Sequence, residues 1–142
     1  MNNKKKSGAQ YAALPVRERD GRRQVMLITS RETKRWIIPK GWPEKNLEPH
    51  EVAAREAYEE AGLVGRVETR PLGSFVYEKR LRDGSATPCQ VDIFLLEVER
   101  ELDDWPEKGQ RERRWMSPSE AALLVGEAGL VTVLLRLAAP AD

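Results

Sequence analysis

Residues 39–63, PKGWPEKNLEPHEVAAREAYEEAGL, form the strongest structural pattern in this chain of 142 residues. Pro49 suits the first turn of a helix, because proline has no N–H to leave unsatisfied there. Gly62 suits the position just after a helix, where the backbone often adopts a positive φ. One helix of about three turns is therefore predicted between them. Its predicted apolar stripe follows the helical period and comprises Ala54, Ala57, Tyr58 and Ala61.

Three carboxylates are predicted on the other side of this helix: Glu56, Glu59 and Glu60. Like charges three or four residues apart repel by roughly 0.2–0.5 kcal/mol per pair. A hard divalent cation such as Mg²⁺ prefers oxygen ligands and reverses the sign of that interaction. The alternative is a solvated acidic face with Glu51–Arg55 and Arg55–Glu59 ion pairs, and the carboxylates alone favour this alternative.

The loop before the helix changes this balance, because Gly41 in that loop extends the pattern. Eight residues stand at fixed spacings: Gly41, Arg55, Glu56, Ala57, Glu59, Glu60, Gly62 and Leu63. These are the spacings of the Nudix signature, G-x5-E-x7-R-E-U-x-E-E-x-G-U, with U apolar. The chain thus resembles the Nudix family. It departs at the first Glu, where Leu47 stands and Glu48 follows one position late. In the family that Glu mainly supports the loop and the motif Arg, so the departure concerns loop geometry more than metal binding.

This resemblance implies a Nudix-type α/β/α sandwich with a central mixed β-sheet. It also implies hydrolysis of a pyrophosphate bond with Mg²⁺ or Mn²⁺ as cofactor. The implied catalytic and metal-binding carboxylates are Glu56, Glu59 and Glu60, with Glu59 either a ligand or the group that orients the attacking water. The carbonyl of Gly41 or Lys40 would reach the same ion, as in the family. Glu107 and Glu112 are candidates for a general base outside the helix.

A narrower resemblance is to the branch of the family that hydrolyses diphosphoinositol and diadenosine polyphosphates. It rests on segments 35–39 (RWIIP), 72–75 (LGSF) and 102–105 (LDDW), and on Arg111, Arg113 and Trp115. The matching candidates for binding a polyanionic substrate are Ser30, Arg31, Lys40 and Arg111. Gln10 stands where the animal members have a basic residue. A solvated surface charge is the alternative for each of these cations.

The leading prediction is therefore a Mg²⁺-dependent pyrophosphohydrolase that acts on a phosphate-rich small molecule. A nucleoside triphosphate sanitising pyrophosphatase is the alternative within enzymes. A non-catalytic binding module with the Nudix fold is the alternative from another class, and Leu47 is the feature that favours it. The oligomeric state is not indicated by any pattern.

The composition of the chain limits the classes of partner and the cellular location that we expect. A net charge of +1 favours neither binding nor rejection of nucleic acid, and no basic run or aromatic platform points to it. The single cysteine, Cys89, excludes an internal disulfide framework and fits a cytoplasmic protein, with a buried, inert thiol. No apolar run approaches membrane-spanning length. Residues 1–8 are predicted to be a disordered basic tail, 9–138 a single domain and 139–142 a short tail.

Strands are predicted at 10–17, 24–29, 36–38, around residue 67, and at 73–77, 90–98 and 112–116. A hairpin turn is predicted at 82–85. Pro15 predicts an edge or a bulge in the first strand, because proline cannot donate to a ladder. Ser117 is the predicted N-cap of a helix, with Pro118 in its first turn and Glu120 closing a capping box. Gly129 is expected to interrupt before a terminal helix at 130–137.

Overall fold

The computed structural model describes residues 8–139, which form eight strands and three helices. The strands are β1 (Ala9–Arg19), β2 (Arg22–Thr29), β3 (Trp36–Ile37), β4 (Lys40–Gly41), β5 (Leu63–Val67), β6 (Gly73–Arg80), β7 (Ala86–Glu101) and β8 (Arg113–Met116). The helices are α1 (Pro49–Ala61), α2 (Pro118–Leu124) and α3 (Ala128–Ala138). Of the two predicted tails, residues 1–7 and 140–142 lie outside the described residues. Gly8 is part of the fold, because its carbonyl accepts a hydrogen bond from the N–H of Gln90 at 3.1 Å.

All eight strands belong to one mixed sheet. Its main path runs β3-β2-β1-β7-β5, while β4 pairs with β1, β6 with β7 and β8 with β2. Strands β1 and β7 are parallel, and every other pair is antiparallel. Strand β6 pairs with residues 86–93 of β7, and residues 90–93 of β7 pair with residues 9–12 of β1, where β4 also pairs. Strands β4 and β6 therefore lie at the same end of the sheet. This topology brings β4 and β6 to opposite sides of one opening.

The sheet is covered on both faces, which confirms the predicted α/β/α sandwich. Alternate residues of β1 and β7 point to opposite faces, as the pleat requires. Ala12, Leu14 and Ile93 face the core under α2 and α3. Ala13 and Phe94 face the smaller core under α1. No helix in the described part of the chain has both the length and the apolar character needed to cross a membrane.

Helix α1 begins and ends where the sequence predicts. The N–H of Glu48 donates to the Glu51 carboxylate at 2.8 Å, and Gly62 follows the helix with φ at +68°. The predicted apolar stripe is wrong in its register, since the buried apolar face is Val52, Ala53, Ala57 and Ala61. Tyr58 is 41% exposed. Ala53, Ala57 and Ala61 are spaced by four, and this row of small side chains lets the helix lie close to the sheet.

Pro15 lies in the middle of the sheet, so its predicted place at an edge or bulge is wrong. Strand β1 has β7 on one side along Ala9–Val16. On its other side it pairs with β4 at Tyr11 and Ala12 and with β2 only from Val16 onward. The N–H of Ala13 donates to Pro39 on that side, so the nitrogen of Pro15 faces the same way. Pro15 thus falls where one neighbour ends and the next begins, and no ladder hydrogen bond is lost.

Helices α2 and α3 close the second face. The Ser117 hydroxyl accepts from the N–H of Glu120 at 3.1 Å, which confirms the N-cap, but no return bond from Ser117 to the Glu120 side chain forms. Gly129 does not interrupt the terminal helix, because it lies inside the first turn of α3. A Cβ at Gly129 would collide with the backbone carbonyl of Ser74. The glycine is therefore needed for the close approach of α3 to β6.

Candidate functional site

Glu56 and Glu60 lie one turn apart on α1, and their carboxyl groups are close enough to influence each other's pKa directly. The backbone of Gly41 lies against them, since a Cβ at Gly41 would collide with the Glu56 carboxylate. Strand β4 is thus held beside α1 by a glycine that leaves the two carboxyls room to face one opening.

Burial is the main influence on the acidity of this pair. It raises the pKa of Glu56 to about 8, with the hydrogen bond to Glu60 and the charge of Glu60 as further causes. Burial also raises the pKa of Glu60, which is only 9% exposed, while Arg111 and then Glu56 act in the opposite direction. Glu60 therefore does not lie on a solvated acidic face, the alternative that the carboxylates alone favoured. Two carboxylates in one partly dehydrated site repel each other, and a bound cation would offset that repulsion.

Glu59 is separated from this pair. Its carboxylate lies 3.0 Å from Arg55, and Arg55 also reaches Glu44 in the preceding loop at 3.6 Å. The predicted Arg55–Glu59 pair is therefore present. The predicted Glu51–Arg55 pair is not, because the Glu51 carboxylate bonds the N–H of Glu48 instead. Glu44 thus gives the motif residue Arg55 the loop carboxylate that Leu47 cannot provide.

The carboxyl pair suits Mg²⁺ or Mn²⁺ in its donor chemistry. Across residues 8–139, no group of three or more His, Cys, Asp or Glu side chains is arranged to hold a metal ion. Mg²⁺ does not require one, because it is usually bound through one or two carboxylates, several waters and substrate phosphates. Glu56 and Glu60 provide hard oxygen donors, and the backbone of Gly41 lies against them. Whether Glu59 joins them as a ligand stays a prediction.

The carboxyl pair opens into a cavity of about 1110 Å³. All four predicted substrate-binding residues line it: Ser30, Arg31, Lys40 and Arg111. Six cationic side chains surround the opening, and they are Arg31, Arg35, Lys40, Lys79, Arg80 and Arg111. The acidic lining residues are Glu32, Glu44, Glu56, Glu60 and Glu78. The sheet topology thus concentrates cations from three separate segments around the carboxyl pair.

The four predicted substrate-binding residues differ in how freely they could meet a substrate. Ser30 is engaged locally, since its hydroxyl accepts from the N–H of Arg35 at 2.9 Å. Arg31 is exposed and donates to Gln110 at 3.3 Å. The ammonium of Lys40 lies 4.9 Å from the centre of the Tyr77 ring, and burial lowers its pKa. Arg31 and Lys40 are accordingly the cations of this set with donors left for an anion.

The wall that β6 contributes to the cavity was not predicted from the sequence. Tyr77, Lys79 and Arg80 lie on that wall, and the Tyr77 hydroxyl donates to Gln10 at 2.6 Å. Gln10, which stands where the animal members of the polyphosphate branch have a basic residue, is only 4% exposed. The basic segment at 79–82 was visible in the sequence as part of a hairpin. Only the pairing of β6 with β7 shows that it faces the carboxyl pair.

The two candidates for a general base lie in different surroundings. Glu107 is 2.9 Å from Arg111, and its charge acts on Glu60. Glu112 lines a smaller pocket beside the main cavity and is exposed. Glu107 is therefore the candidate that the fold brings to the site.

Cys89 is fully buried, as predicted, and burial raises the pKa of its thiol.

Comparison with known proteins identifies the family of this chain. The family model of the NUDIX domain matches residues 8–137. The chain belongs to the Nudix family. Over 101 residues it is 37% identical to Nudix hydrolase 12, mitochondrial, of Arabidopsis thaliana, covering 69% of this chain and 50% of that protein. It is 35% identical over 101 residues to diphosphoinositol polyphosphate phosphohydrolase 2 of Rattus norvegicus, covering 69% of this chain and 52% of that protein.

Solved structures show the same fold at low sequence identity. The C. elegans Ap4A hydrolase matches with a TM-score of 0.61 and 17% identity, over 91% of this chain and 93% of that one. A binary complex of a C. elegans Ap4A hydrolase matches with a TM-score of 0.66 and 16% identity, over 90% and 93% of the two chains. The Nudix chain described here spans about half the length of the curated relatives it matches.

Proposed function

We propose that this Nudix chain is a Mg²⁺- or Mn²⁺-dependent pyrophosphohydrolase that cleaves a pyrophosphate bond in a phosphate-rich small molecule. The observation that carries this proposal is the pair of neighbouring carboxyls of Glu56 and Glu60, which line one cavity together with six cationic side chains. A substrate of the dinucleoside polyphosphate or diphosphoinositol polyphosphate type fits a cavity of this size and charge. The names of the rat relative and of the C. elegans structures point in the same direction.

In this proposal Glu56 and Glu60 hold the cation, with the Gly41 carbonyl as a third donor. When bound, the cation neutralises phosphate oxygens, lowers the pKa of the attacking water and aligns the reacting groups. Charge favours binding of the cation before the substrate. With Glu56 and Glu60 occupied, three acidic side chains remain against six cationic ones around the cavity. The substrate anion then meets a more positive field than the cation-free protein presents.

The cationic side chains of the cavity would bind and orient the phosphate chain. Arg31 and Lys40 come from the segments before and after β3, and Lys79 and Arg80 come from β6 on the opposite wall. A charge-assisted hydrogen bond contributes about 1.5–3 kcal/mol, less where solvent screens it. Contacts on two walls would hold a chain of several phosphates across the carboxyl pair. A substrate with a single pyrophosphate bond would reach fewer of them.

The test is a substrate panel assayed with Mg²⁺, with Mn²⁺ and with EDTA. It contains dinucleoside polyphosphates, diphosphoinositol phosphates, nucleoside triphosphates and nucleotide sugars. We expect metal-dependent hydrolysis with kcat/KM highest for the first two classes. Highest kcat/KM for nucleoside triphosphates would instead support a sanitising pyrophosphatase. Binding of a polyphosphate without any hydrolysis would support the non-catalytic module and contradict the proposal.

A further inference from the structure

Arg111 is held by the protein on three sides, although it lines the cavity. Its guanidinium is 2.9 Å from Glu107 and 3.8 Å from Glu60, and it donates to the carbonyl of Thr29 at 3.2 Å. The side chain is only 8% exposed. Its role as a substrate contact stays a prediction, but few of its donors are free for a substrate. Inside the cavity, the charged group that Arg111 approaches is the buried carboxylate of Glu60.

The position of Arg111 is fixed relative to α1. The N–H of Glu107 donates to the carbonyl of Glu59 at 3.1 Å. The Arg113 guanidinium donates to the carbonyl of Ala61 at 2.7 Å, and the Trp105 ring packs against Gly62. The loop before β8 is therefore attached to the C-terminal end of α1. This attachment places a carboxylate and a guanidinium beside Glu60 in a defined order.

The order is Glu60, Arg111, Glu107, with charges that alternate in sign. The Arg111 guanidinium lies 3.8 Å from Glu60 and 2.9 Å from Glu107, so its positive charge is shared between two carboxylates. Lys40 is a further cation that lines the same cavity. A buried carboxylate without a cation beside it would be strongly unfavourable. Arg111 thus supplies in the metal-free protein what a divalent cation would supply when bound.

We propose that Arg111 is a positioning residue that serves as the internal counter-ion of Glu60, and that Glu107 limits how strongly Arg111 holds it. This inference rests on the proposed function, because it takes Glu60 as a ligand of the divalent cation. The cation and Arg111 share one carboxylate, so Arg111 opposes cation binding. Glu107 favours cation binding, because it draws part of the Arg111 charge away from Glu60.

The experiment measures Mn²⁺ affinity by isothermal titration calorimetry and Tm in EDTA. Removal of the charge in Arg111→Met should tighten Mn²⁺ binding roughly tenfold, as for the loss of one charge near a dication in a partly screened site. The same variant should lower Tm in EDTA, since Glu60 loses its counter-ion. Arg111→Lys keeps the charge and should bind Mn²⁺ with nearly wild-type affinity.

Glu107→Gln should act in the opposite direction and weaken Mn²⁺ binding several-fold. In a double-mutant cycle its effect should shrink in the Arg111→Met background, because Glu107 acts through Arg111. Arg66→Met is the control for net charge. Arg66 is exposed and pairs with Glu97 on the sheet at 2.7 Å, so Mn²⁺ affinity should be unchanged.

Weaker or unchanged Mn²⁺ binding by Arg111→Met would overturn the inference, since a purely structural role gives that result. Should Arg111→Met fail to fold, Glu107→Gln decides, and unchanged or tighter binding in that variant would overturn it. A wild-type protein that binds no Mn²⁺ would contradict the proposed function itself, together with this inference. Wild-type binding with the wrong direction in the variants would contradict the inference alone.

Discussion

The partly buried carboxyl of Glu56 predicts how the stability of the metal-free protein depends on pH. Burial raises the pKa of Glu56 from 4.5 to about 8 in the folded chain. A carboxyl with a raised pKa is most favourable to folding when protonated, so the contribution of Glu56 to stability is largest below pH 4.5. This contribution should decrease as the pH rises to about 8. The folded chain must then either bury the charged carboxylate or keep a proton that the unfolded chain has released. Glu56→Gln keeps the shape and the neutral state, and should remove this fall.

The size of the effect follows from the same values. The difference between 4.5 and about 8 corresponds to an upper limit of roughly 5 kcal/mol, at about 1.4 kcal/mol for each tenfold change. Glu56 is only partly buried, and water screens part of its charge. We therefore expect Glu56→Gln to be more stable than the wild type by about 1–2 kcal/mol at pH 8 in EDTA. Near pH 4.5 the two proteins should be nearly equal.

The assay is urea unfolding at a series of pH values between 4.5 and 8.5, with EDTA present throughout. Glu59→Gln is the matched control, because it makes the same change on the same helix at a carboxylate paired with Arg55. This control should not stabilise the protein at pH 8. A difference in stability between the wild type and Glu56→Gln that does not change with pH would refute the reasoning. So would a Glu56→Gln variant that is less stable than the wild type at pH 8.

Three further predictions concern the helix end, the loop and the substrate. Gly62→Ala should destabilise the fold by about 1–3 kcal/mol in urea unfolding, because φ is +68° and the new Cβ would lie 2.6 Å from the Trp105 ring; an unchanged midpoint would contradict this. Leu47→Glu should leave kcat/KM within a few-fold of the wild type, because Glu44 already reaches the motif Arg. A silent wild type that this change activates would favour the binding-module alternative. Arg31→Met should reduce kcat/KM for dinucleoside hexaphosphates roughly tenfold more than for nucleoside diphosphate sugars, and equal losses would contradict a contact with the distal phosphates.

The sequence predicts those elements whose signals are local. Pro49 and Gly62 mark the two ends of α1, and the structure begins and ends the helix there. Ser117 marks the start of α2 in the same way. The hairpin between β6 and β7 follows from its turn residues, with Gly84 at φ +89°. Each of these features depends on residues a few positions apart, so a single sequence contains the information.

What the sequence does not predict depends on contacts between distant segments. The buried face of α1 is set by how the helix lies on the sheet, which the stripe of Ala54 and Tyr58 could not reveal. Pro15 is accommodated because β4 and β2 share one side of β1. Strand β4 has only two residues, too few for a periodic pattern. The partners of Arg111 include Thr29, which is 82 residues away.

The site was predicted in its residue types but not in its grouping. The signature spacing identifies Glu56, Glu59 and Glu60 equally, while the structure places Glu56 with Glu60 and turns Glu59 to Arg55. The Arg55–Glu59 pair follows from the spacing of charges along the helix and was predicted. The burial of Glu60 and its contact with Arg111 could not be predicted in this way, because they depend on residues from outside the helix.

The most direct test of the proposed function is the metal-dependent hydrolysis of a dinucleoside polyphosphate by the wild type and by Glu60→Gln. The amide keeps the shape of the side chain but loses the anionic oxygen donor. We expect the wild type to hydrolyse the substrate with Mg²⁺ and to be inactive in EDTA. Glu60→Gln should fold normally by circular dichroism and lose nearly all of this activity. Wild-type turnover in the purified, folded variant would contradict the assignment of Glu60 to the metal site.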